Sequence, residues 1–313
     1  MCGIVGLLDP DVTQLDLQRS ADLLAHRGPD DAGCYVGDGV GLAACRLSIL
    51  DIEGGHQPLS NEDGSVWIAY NGEVVNAPEL RAELEAAGHV VRTRSDTEVI
   101  AHAYEQWGTA AVARLRGMFA FALWDAPRRR LLLARDRLGI KPLYYAEHAG
   151  RFACASEIRS LWAALPGLPR RADLQALGQL FQLGFIASPL TAFEGVRQVP
   201  AAHILLVESG RVALRRYWRL AFPSPGEHRR VTLPTAAREL ADRLRETVAA
   251  WRLSDVPVGS LLSGGIDSAS LAALLTEVSG GPIHTFTIGF TAASHDESAR
   301  ARDAARSLGS HHH

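Results

Sequence analysis

The stretch MCGIVGLL (residues 1–8) places a cysteine at position 2, directly before a short apolar run. Residues 3–8 have the length and composition of a buried strand. If Met1 is removed, the Cys2 thiol lies beside a free α-amino group, whose ordinary pKa of about 7.7–8.0 lets it take the thiol proton near neutrality. The stretch therefore offers an N-terminal nucleophile ahead of a strand, although a single cysteine is more often a small buried apolar residue.

The composition is typical of a globular protein, and 313 residues leave room for about two domains. Apolar residues make up 47% and charged residues 21%, which excludes a disordered chain. The 32 Lys and Arg against 35 Asp and Glu give a net charge of −3, without the basic excess of a nucleic-acid-binding protein. No run approaches about 18 apolar residues, so no membrane span is expected, and the early Asp9 and Pro10 argue against a signal peptide.

The spacing of cysteines and histidines points to a reducing compartment and to no metal site. Cys2, Cys34, Cys45 and Cys154 show no CxxC spacing and are expected to be free thiols, which predicts a cytoplasmic location. The 12 histidines show no HExxH-type spacing, so no metal-ligand set is predicted. The three consecutive histidines at 311–313 are either native or an expression tag.

Residues 2–218 combine many short β-type runs with few helical stretches and are expected to form one domain. Apolar runs between turn residues predict strands at 3–8, 40–44, 66–70, 118–124, 131–135, 143–145 and 152–155. Helical spacing predicts helices at 14–25, 77–87 and 96–107. This balance favours antiparallel sheets with helices packed outside, an α+β layered domain.

The sequence changes character after Trp218. Residues 219–234 are rich in Pro, Gly, Ser and charge, and they predict a linker. In residues 235–313 the predicted elements are a helix at 235–251, a strand at 256–262, a helix at 267–278, a strand at 283–290 and a helix from about Asp296. That order predicts an α/β domain with a parallel sheet. Two strands are few for such a sheet, so the domain is expected to be truncated or completed from outside the chain.

The YNGE run (70–73) follows the strand predicted at 66–70 and is expected to form a turn. Asn71 can offer its side-chain amide and Gly72 its backbone N–H to one oxygen, as the two donors of an oxyanion hole. An Asn-Gly pair is also the strongest short hairpin signal. Taken alone, the run favours the plain hairpin.

An amino-acid substrate needs a cation for its carboxylate and an anion for its ammonium group. Arg46 in CRLSIL can bind a carboxylate through two parallel hydrogen bonds. Asp96 in RSDTEVI and Glu73 can supply the anions. Each residue has an equally common alternative role, a surface charge for Arg46 and a helix N-cap for Asp96.

The run SGGIDS (263–268) joins a predicted apolar strand to a predicted helix. Its glycines allow close backbone approach, and the first N–H groups of a helix bind anions. The pattern lacks the GxxxxGK[ST] spacing of the common P-loop. A generic glycine turn is the alternative, and the flanking strand and helix make the anion site the stronger interpretation.

Motifs in a fixed order along residues 2–218 resemble those of class II glutamine amidotransferase domains. They are MCGIVG (1–6), HRGPD (26–30), RLSI (46–49), YNGEVVN (70–76), SDTEVI (95–100), GMFAFALWD (117–125), RDRLGIKPLYY (135–145) and FACASEIRSL (152–161). The resemblance implies the N-terminal-nucleophile hydrolase fold, a four-layer αββα sandwich. It also implies that Cys2 is the nucleophile, that Asn71 and Gly72 form the oxyanion hole, and that glutamine is held by Arg46, Ile49, Leu50, Glu73 and Asp96.

The SGGIDS run resembles the pyrophosphate-binding loop of ATP pyrophosphatases. DVPVGSLLSGGIDSASL (255–271), TFTIGF (285–290) and DESARA (296–301) resemble the synthetase domain of glutamine-dependent asparagine synthetases, and LGSHHH (308–313) is similar to the same family. The resemblance implies ATP, with its phosphates contacted by Ser263, Gly264, Gly265, Asp267 and Ser268 and its adenine lined by Leu261 and Ile288. It also implies Mg²⁺ to neutralise the triphosphate.

These features predict an enzyme with small-molecule substrates: glutamine, ATP and aspartate or another carboxylate. Glutamine hydrolysis at Cys2 is expected to feed ammonia to an aspartyl-adenylate, which gives asparagine. Three alternatives stay open: the same architecture acting on a different acceptor, a class II amidotransferase that makes amino sugars or purine precursors, and a non-catalytic relative. The sequence also leaves a homodimer open.

Overall fold

Two six-stranded antiparallel sheets form the centre of residues Met1–Leu220, the first of two compact units; the second is Ala221–His313. The structure is a computed structural model that describes residues 1–224, 226, 227, 229–292, 294 and 296–313. No helix among these residues is long and apolar enough to span a membrane.

The strands of the first unit are β1 Gly3–Leu8, β2 Asp31–Gly37, β3 Val40–Arg46, β4 Leu59–Ser60, β5 Val66–Val74, β6 Gly117–Asp125, β7 Arg130–Arg135, β8 Tyr144–His148, β9 Arg151–Ala155, β10 Val196–Gln198, β11 His203–Glu208 and β12 Arg211–Arg216. Its helices are α1 Gln14–Asp22, α2 Ala77–Ala86, α3 Asp96–Trp107, α4 Ala111–Arg114, α5 Ile158–Ala164 and α6 Leu174–Leu183.

The first unit has four layers. One sheet has the strand order β10-β8-β9-β1-β3-β2 and the other β12-β11-β7-β6-β5-β4. A buried cluster that includes Ile4, Leu42 and Ala122 fills the space between the sheets. A second cluster packs the β5–β6 side against α2, α3 and α4, and a third packs the β1–β3 side against α1 and α5. The predicted αββα sandwich is therefore confirmed.

The expected turn at YNGE is wrong. Strand β5 continues to Val74, and Asn71 and Gly72 pair with Ala120 and Phe119 of β6 in an antiparallel ladder. The Asn-Gly pair lies inside a nine-residue strand that is paired with β6 along its whole length, so tertiary pairing overrides the local turn preference. The run GMFAFALWD, which becomes β6, supplies that partner strand.

Helix α3 begins at the residue that the sequence predicts. Ser95 is its N-cap, with a side chain that accepts a hydrogen bond from the N–H of Thr97, so Asp96 is the first helical residue rather than the cap. Gly108 ends the helix with φ of 58°. This places the Asp96 carboxylate at the end of α3 that faces β5.

The second unit contains α7 Leu233–Ala250, β13 Ser260–Leu261, α8 Ile266–Ser279, β14 His284–Phe286, α9 Ser298–Leu308 and β15 His311–His312. Its sheet is parallel with the order β13-β14-β15, as expected for an α/β domain. The expectation of only two strands is wrong, because the histidine run forms the third: His311 and His312 pair with His284 and Thr285.

Candidate active site

A cavity of about 130 Å³ in the first unit brings together the residues expected to bind and hydrolyse glutamine. Its walls include Cys2, Arg46, Ile49, Leu50, Asn71, Gly72, Glu73 and Asp96. They come from the start of β1, the end of β3 and the loop after it, β5, and the first residue of α3. The fold therefore gathers all eight residues in one place.

Cys2 lies against the backbone of the loop after β3. Its Sγ accepts a hydrogen bond from the Leu47 N–H at 3.4 Å, and Arg27 of the HRGPD run donates from Nε to the Cys2 carbonyl at 3.0 Å. Burial raises the pKa of the thiol, and the Leu47 N–H, the N-terminal ammonium group, Arg46 and Lys141 oppose that rise. Because the net shift is upward, the thiol needs a base before it can attack.

Asn71 is 1% exposed, and its side-chain Nδ2 has no hydrogen-bond partner within the described protein. Buried amide donors are almost always satisfied in folded proteins, and leaving one unpaired costs about 1–3 kcal/mol. The amide lines the same cavity as the Cys2 sulfur. It is therefore a donor free to bind an oxygen that enters the cavity.

Gly72 directs its backbone N–H to the same side. Phe119, its partner in β6, uses its own N–H and carbonyl for Asp136, so Gly72 and Phe119 are not a hydrogen-bonded pair. On either side of Gly72, the N–H groups of Tyr70 and Val74 point away from β6, to Gln57 and Asp96. By the two-residue period of a strand the Gly72 N–H points the same way, and Gly72 lines the cavity.

Arg46 is buried with its guanidinium group beside the loop that follows β3. It donates to the carbonyl oxygens of Leu50 and Asp51 at 2.7 Å each and of Ile52 at 3.1 Å. These bonds fix the loop that brings Ile49 and Leu50 to the cavity. Carbonyl oxygens are neutral, so the positive charge of Arg46 is not neutralised by them and is available to an anion in the cavity.

Glu73 and Asp96 are the acidic residues that line the cavity. Glu73 is 8% exposed, its Oε1 has no partner within the described protein, and burial together with the nearby Asp96 charge raises its pKa to about 7. Asp96 accepts hydrogen bonds from the Tyr70 hydroxyl at 2.6 Å and the Val74 N–H at 2.8 Å. Burial still raises the pKa of Asp96. Lys141, which lines the same cavity, opposes the rise in the pKa of Glu73 only in part, so the net shift is upward.

Sequence reasoning missed several residues of the cavity, of which Lys141 and Gln57 are the most polar. Lys141 belongs to the RDRLGIKP run; burial lowers its pKa, while the charges of Cys2 and Glu73 act against that. Asp136 holds this run by accepting from the N–H groups of Ile140 and Lys141. Gln57 accepts from Tyr70 N–H and donates to Thr97. Lys141 could have been found from the sequence, because it lies in the RDRLGIKPLYY motif. Gln57 lies in no recognisable motif.

The SGGIDS loop of the second unit joins β13 to α8. Gly264 has φ of +76°, and a Cβ built on it would lie 2.6 Å from the Arg300 Cβ, so only glycine fits there. Ser263 and Ser268 bond to each other through their hydroxyls at 3.0 Å, which closes the loop. Gly265 caps α8 without a side-chain hydrogen bond, which leaves the first N–H groups of the helix open to a ligand.

The residues expected around adenine are not enclosed. Leu261 ends β13 and is 75% exposed, and Ile288 follows β14 and is 74% exposed. Asp267, in the first turn of α8, is exposed as well. The loop backbone can thus accept an anion. In the described part of the unit the side chains of Leu261, Ile288 and Asp267 are exposed.

Two family models match the chain: one described as a glutamine amidotransferase domain at residues 1–218, and one described as asparagine synthase at residues 239–313. Glutamine-hydrolyzing asparagine synthetase 1 of Bacillus subtilis is 37% identical over 99% of this chain and 49% of the relative. Synthetase 3 of the same organism is 36% identical over 93% of this chain and 48% of the relative. The chain thus spans about half the length of these curated relatives.

Among solved structures, glutamine phosphoribosylpyrophosphate amidotransferase of Bacillus subtilis resembles the chain with a TM-score of 0.52. The match covers 90% of this chain and 65% of that one at 19% sequence identity. At this identity the likeness concerns the fold, and it agrees with the N-terminal-nucleophile hydrolase sandwich of the first unit.

Proposed function

The chain belongs to the glutamine amidotransferase family, and from that premise we propose that its first unit hydrolyses glutamine and supplies the ammonia for ATP-dependent synthesis of asparagine. The observation that carries the proposal is the pair of unpartnered buried atoms, Asn71 Nδ2 and Glu73 Oε1, in the cavity that holds Cys2. A free donor and a free acceptor of this kind match the amide oxygen and the ammonium group of glutamine.

The reaction starts with removal of Met1, which makes Cys2 the first residue. Its α-amino group then takes the thiol proton, directly or through a water. This base is needed because the raised pKa keeps the thiol protonated. The thiolate attacks the side-chain amide carbon of glutamine, and a carbon–sulfur bond forms as the carbonyl oxygen becomes an oxyanion. Asn71 Nδ2 and the Gly72 N–H stabilise that oxygen; one such donor is worth about 3–4 kcal/mol.

The tetrahedral intermediate then collapses. The carbon–nitrogen bond breaks, the protonated α-amino group gives its proton to the leaving nitrogen, and ammonia departs. A glutamyl thioester remains on Cys2. Water attacks this thioester with the same amine as base, which releases glutamate and restores the thiol.

The charges around the cavity orient the substrate. Arg46, whose hydrogen bonds go to neutral carbonyl oxygens, binds the α-carboxylate of glutamine, and Glu73 with Asp96 binds the α-ammonium group. Ile49 and Leu50 line the space between through the loop that Arg46 fixes. Lys141 adds a second positive charge near Cys2 and favours the thiolate.

The second unit contributes the nucleotide site of the proposal. The open N–H groups at the start of α8 bind phosphate oxygens of ATP, with Ser263, Gly264, Gly265 and Ser268 around them. The Asp267 carboxylate is an oxygen ligand of the kind that Mg²⁺ prefers together with phosphate, so it fits a role in holding that ion. When bound, Mg²⁺ would neutralise phosphate charge. The aspartate side-chain carboxylate attacks the α-phosphorus of ATP and pyrophosphate leaves, and ammonia then displaces AMP from the aspartyl-adenylate to give asparagine.

The asparagine synthase match at residues 239–313 supports aspartate as the acceptor, and it disfavours a second domain for sugar phosphates. Four free thiols support the reducing, cytoplasmic compartment. Another carboxylate acceptor of the same architecture remains the second candidate for the complete reaction, and comparing ammonia-dependent AMP release with different carboxylates separates the two.

The direct test of the proposal is glutamate release by the 313-residue chain after Met1 removal. The Cys2→Ala variant should lose glutamate release, and the matched variant Cys34→Ala should keep it, because Cys34 lies on β2 outside the cavity. Equal activity of Cys2→Ala and the unmodified chain would overturn the nucleophile assignment and leave a non-catalytic relative or a different site.

A further inference from the structure

A second cluster of ionisable side chains lies in the first unit, apart from the Cys2 cavity. Glu62 follows β4, His89 follows α2, and His102 and Glu105 lie one turn apart on α3. One ligand atom from each of these four residues lies within 4.8 Å of the other three. None of the four lines the cavity that holds Cys2.

His102 is the unsatisfied member at the centre of the cluster. Its side chain is 0% exposed, and neither ring nitrogen has a hydrogen-bond partner within the described protein. Its Nδ1 nevertheless lies 3.2 Å from Glu62 Oε2 and 3.6 Å from Glu105 Oε2. The Glu62 Oε2 atom is also buried and without a partner. An imidazole enclosed in this way is costly unless something bonds to it.

His89 is oriented as a ligand by a contact of its Nε2 atom outside the cluster. His89 Nε2 lies 3.0 Å from the Gln106 side-chain oxygen and can donate a hydrogen bond to it, which leaves Nδ1 as the nitrogen that faces the cluster. That Nδ1 faces Glu105 Oε2 at 3.6 Å. In the same manner His102 Nε2 faces the Glu98 carboxylate at 3.6 Å on the far side of the ring. A metal-binding histidine commonly donates its second ring N–H to an oxygen atom of a neighbouring residue.

We propose that Glu62, His89, His102 and Glu105 form a structural site for a transition-metal cation, with Zn²⁺ as the favoured ion. Imidazole nitrogens and carboxylate oxygens are both zinc ligands, and four such atoms can complete a tetrahedral coordination shell. Ligands about 2.0–2.1 Å from zinc lie about 3.3–3.4 Å from each other. Three of the six distances between the ligand atoms, 3.2, 3.6 and 3.6 Å, lie close to that value, and all six are at most 4.8 Å.

The electrostatics of the cluster also select a cation. The cluster brings two carboxylates and two imidazoles together, and the Glu98 carboxylate lies behind His102. A positive ion bound between the four ligand atoms would compensate the excess of carboxylate groups. Asn61 supports the arrangement by donating to Glu105 Oε2 at 3.2 Å. Sequence spacing gave no hint of the site, because its ligands come from three segments that only the fold brings together.

The position of the site assigns it a stabilising role. Zinc would tie the turn after β4 and the loop after α2 to α3, and α3 is the helix that presents Asp96 to the glutamine cavity. Metal binding to the folded state alone raises stability in proportion to the logarithm of metal concentration over Kd.

The test uses the full chain in a background that removes competing ligands. Cys2→Ala takes away the cavity thiol, and His311→Asn with His313→Asn takes away exposed histidines of the second unit. Calorimetric titration with Zn²⁺ should give one equivalent bound, and Co²⁺ should give the intense visible absorption of a tetrahedral site. Zn²⁺ should also raise the midpoint of thermal unfolding.

Glu105→Gln is the main variant, because Glu105 is exposed enough for the protein to fold without its charge. It should lower Zn²⁺ affinity at least tenfold and abolish the tetrahedral Co²⁺ spectrum, and Glu62→Gln should act alike. Glu83→Gln, a change at an exposed glutamate paired with Arg114, is the matched control and should change neither. Absence of stoichiometric Zn²⁺ binding in the background chain, or binding that survives both variants, would overturn the proposal.

Discussion

Two buried polar atoms in the glutamine cavity have no partner within the described protein, Asn71 Nδ2 and Glu73 Oε1. Each costs the folded chain about 1–3 kcal/mol, which neighbouring packing must offset. Enzymes commonly carry such costs where a substrate will supply the missing bond. The same two atoms therefore lower the stability of the first unit and provide the proposed contacts to glutamine.

The first prediction concerns Asn71. Asn71→Ala should lower kcat of glutamine hydrolysis about 10²–10³-fold, because one of two oxyanion donors is lost. The unfolding temperature should stay the same or rise slightly, because removing the buried, unpaired Nδ2 relieves a cost that offsets the packing lost on truncation. Steady-state kinetics and thermal unfolding check the pair of results. Unchanged kcat in a well-folded variant would contradict the oxyanion role.

The second prediction concerns pH. Glu73, with a pKa of about 7, must be ionised to bind the ammonium group of glutamine, and its ionised fraction falls as the pH falls through about 7. Glutamine affinity of the Cys2→Ala chain, measured by calorimetry, should therefore weaken as the pH drops from 8 to 6.

Two variants distinguish the titration of Glu73 from that of other ionisable groups. Glu73→Gln should bind glutamine weakly with little pH dependence over that interval, and Glu79→Gln on the exposed face of α2 should behave like the parent. A Glu73→Gln chain that keeps the parent's affinity and pH profile would exclude Glu73 from the substrate site.

The third prediction is the effect of the same group on stability. The pKa of Glu73 is about 7 in the folded chain and 4.5 ordinarily. Between pH 4.5 and 7 the unfolded chain therefore binds fewer protons than the folded chain. The free energy of unfolding falls as the pH rises through this interval. Glu73→Gln should remove this loss and raise the free energy of unfolding above pH 7, by about 3 kcal/mol at most. Denaturant unfolding at pH 5 and pH 8 measures the difference, which should be small at pH 5. A variant less stable than the parent at pH 8 would contradict the assignment.

Residue identities were predictable where a motif carried them. Cys2, Arg46, Asn71 and Asp96 stand in recognisable runs, and the fold brings them to one cavity. Gln57 and the cluster around His102 were not predictable, because their neighbours are distant in sequence. A buried contact between segments leaves no periodicity for sequence reasoning to find.

At the scale of elements, strand β5 organises the site. Its edge beyond Ile68 has no strand partner among the described residues, and this edge supplies N–H groups to Gln57, to Asp96 and to the cavity. Local turn preference predicted the opposite, an end of the strand at Tyr70. The pairing with β6 along all nine residues decides the outcome.

The fourth prediction tests how closely β5 and β6 approach. A Cβ on Gly72 would lie 2.3 Å from the Met118 carbonyl oxygen, so Gly72→Ala must push the two strands apart. Glutaminase activity should fall more than 100-fold, and the unfolding temperature should drop by several degrees. Circular dichroism melting and glutamate release measure both effects.

Gly178 provides the matched glycine control. It lies inside α6 with no atom within 4 Å of a built Cβ, so Gly178→Ala should keep activity and stabilise the chain by about 1 kcal/mol. If Gly72→Ala were as active and as stable as Gly178→Ala, the close packing at this edge would have no role.

Other elements show where sequence patterns succeed. Helix α3 spans the predicted residues 96–107, since Ser95 and the following periodicity are strong local signals. Strands β2, β10, β11 and β12 and helix α6 were not predicted. Strands β2, β10 and β12 are edge strands of the two sheets and β11 is next to an edge; polar residues weaken the apolar alternation there.

At the scale of the whole molecule, the chain has two compact units, and the proposed function assigns one site to each. The length predicted about two domains, and the motif order predicted a layered unit followed by a parallel one. The third strand of the parallel sheet was missed because a run of histidines has no strand pattern of its own. Its pairing with β14 comes from the fold of the unit.

The fifth prediction separates the two sites. Asp267→Asn should lower affinity for ATP with Mg²⁺ at least tenfold, because a carboxylate near the phosphate loop is lost. It should leave kcat/KM for glutamine hydrolysis within about twofold of the parent value. Asp303→Asn, at an exposed position of α9, is the control for both measurements. A parallel loss of both activities in Asp267→Asn would contradict independent sites.

The most direct measurement is mass spectrometry of the N-terminal peptide after the chain reacts with a diazoketone analogue of glutamine. The mechanism predicts a peptide that lacks Met1 and carries one analogue on the sulfur of Cys2, with glutamine in excess protecting it. A correctly trimmed chain that gains no adduct at Cys2, or gains it at another cysteine, would contradict the nucleophile on which nitrogen donation depends.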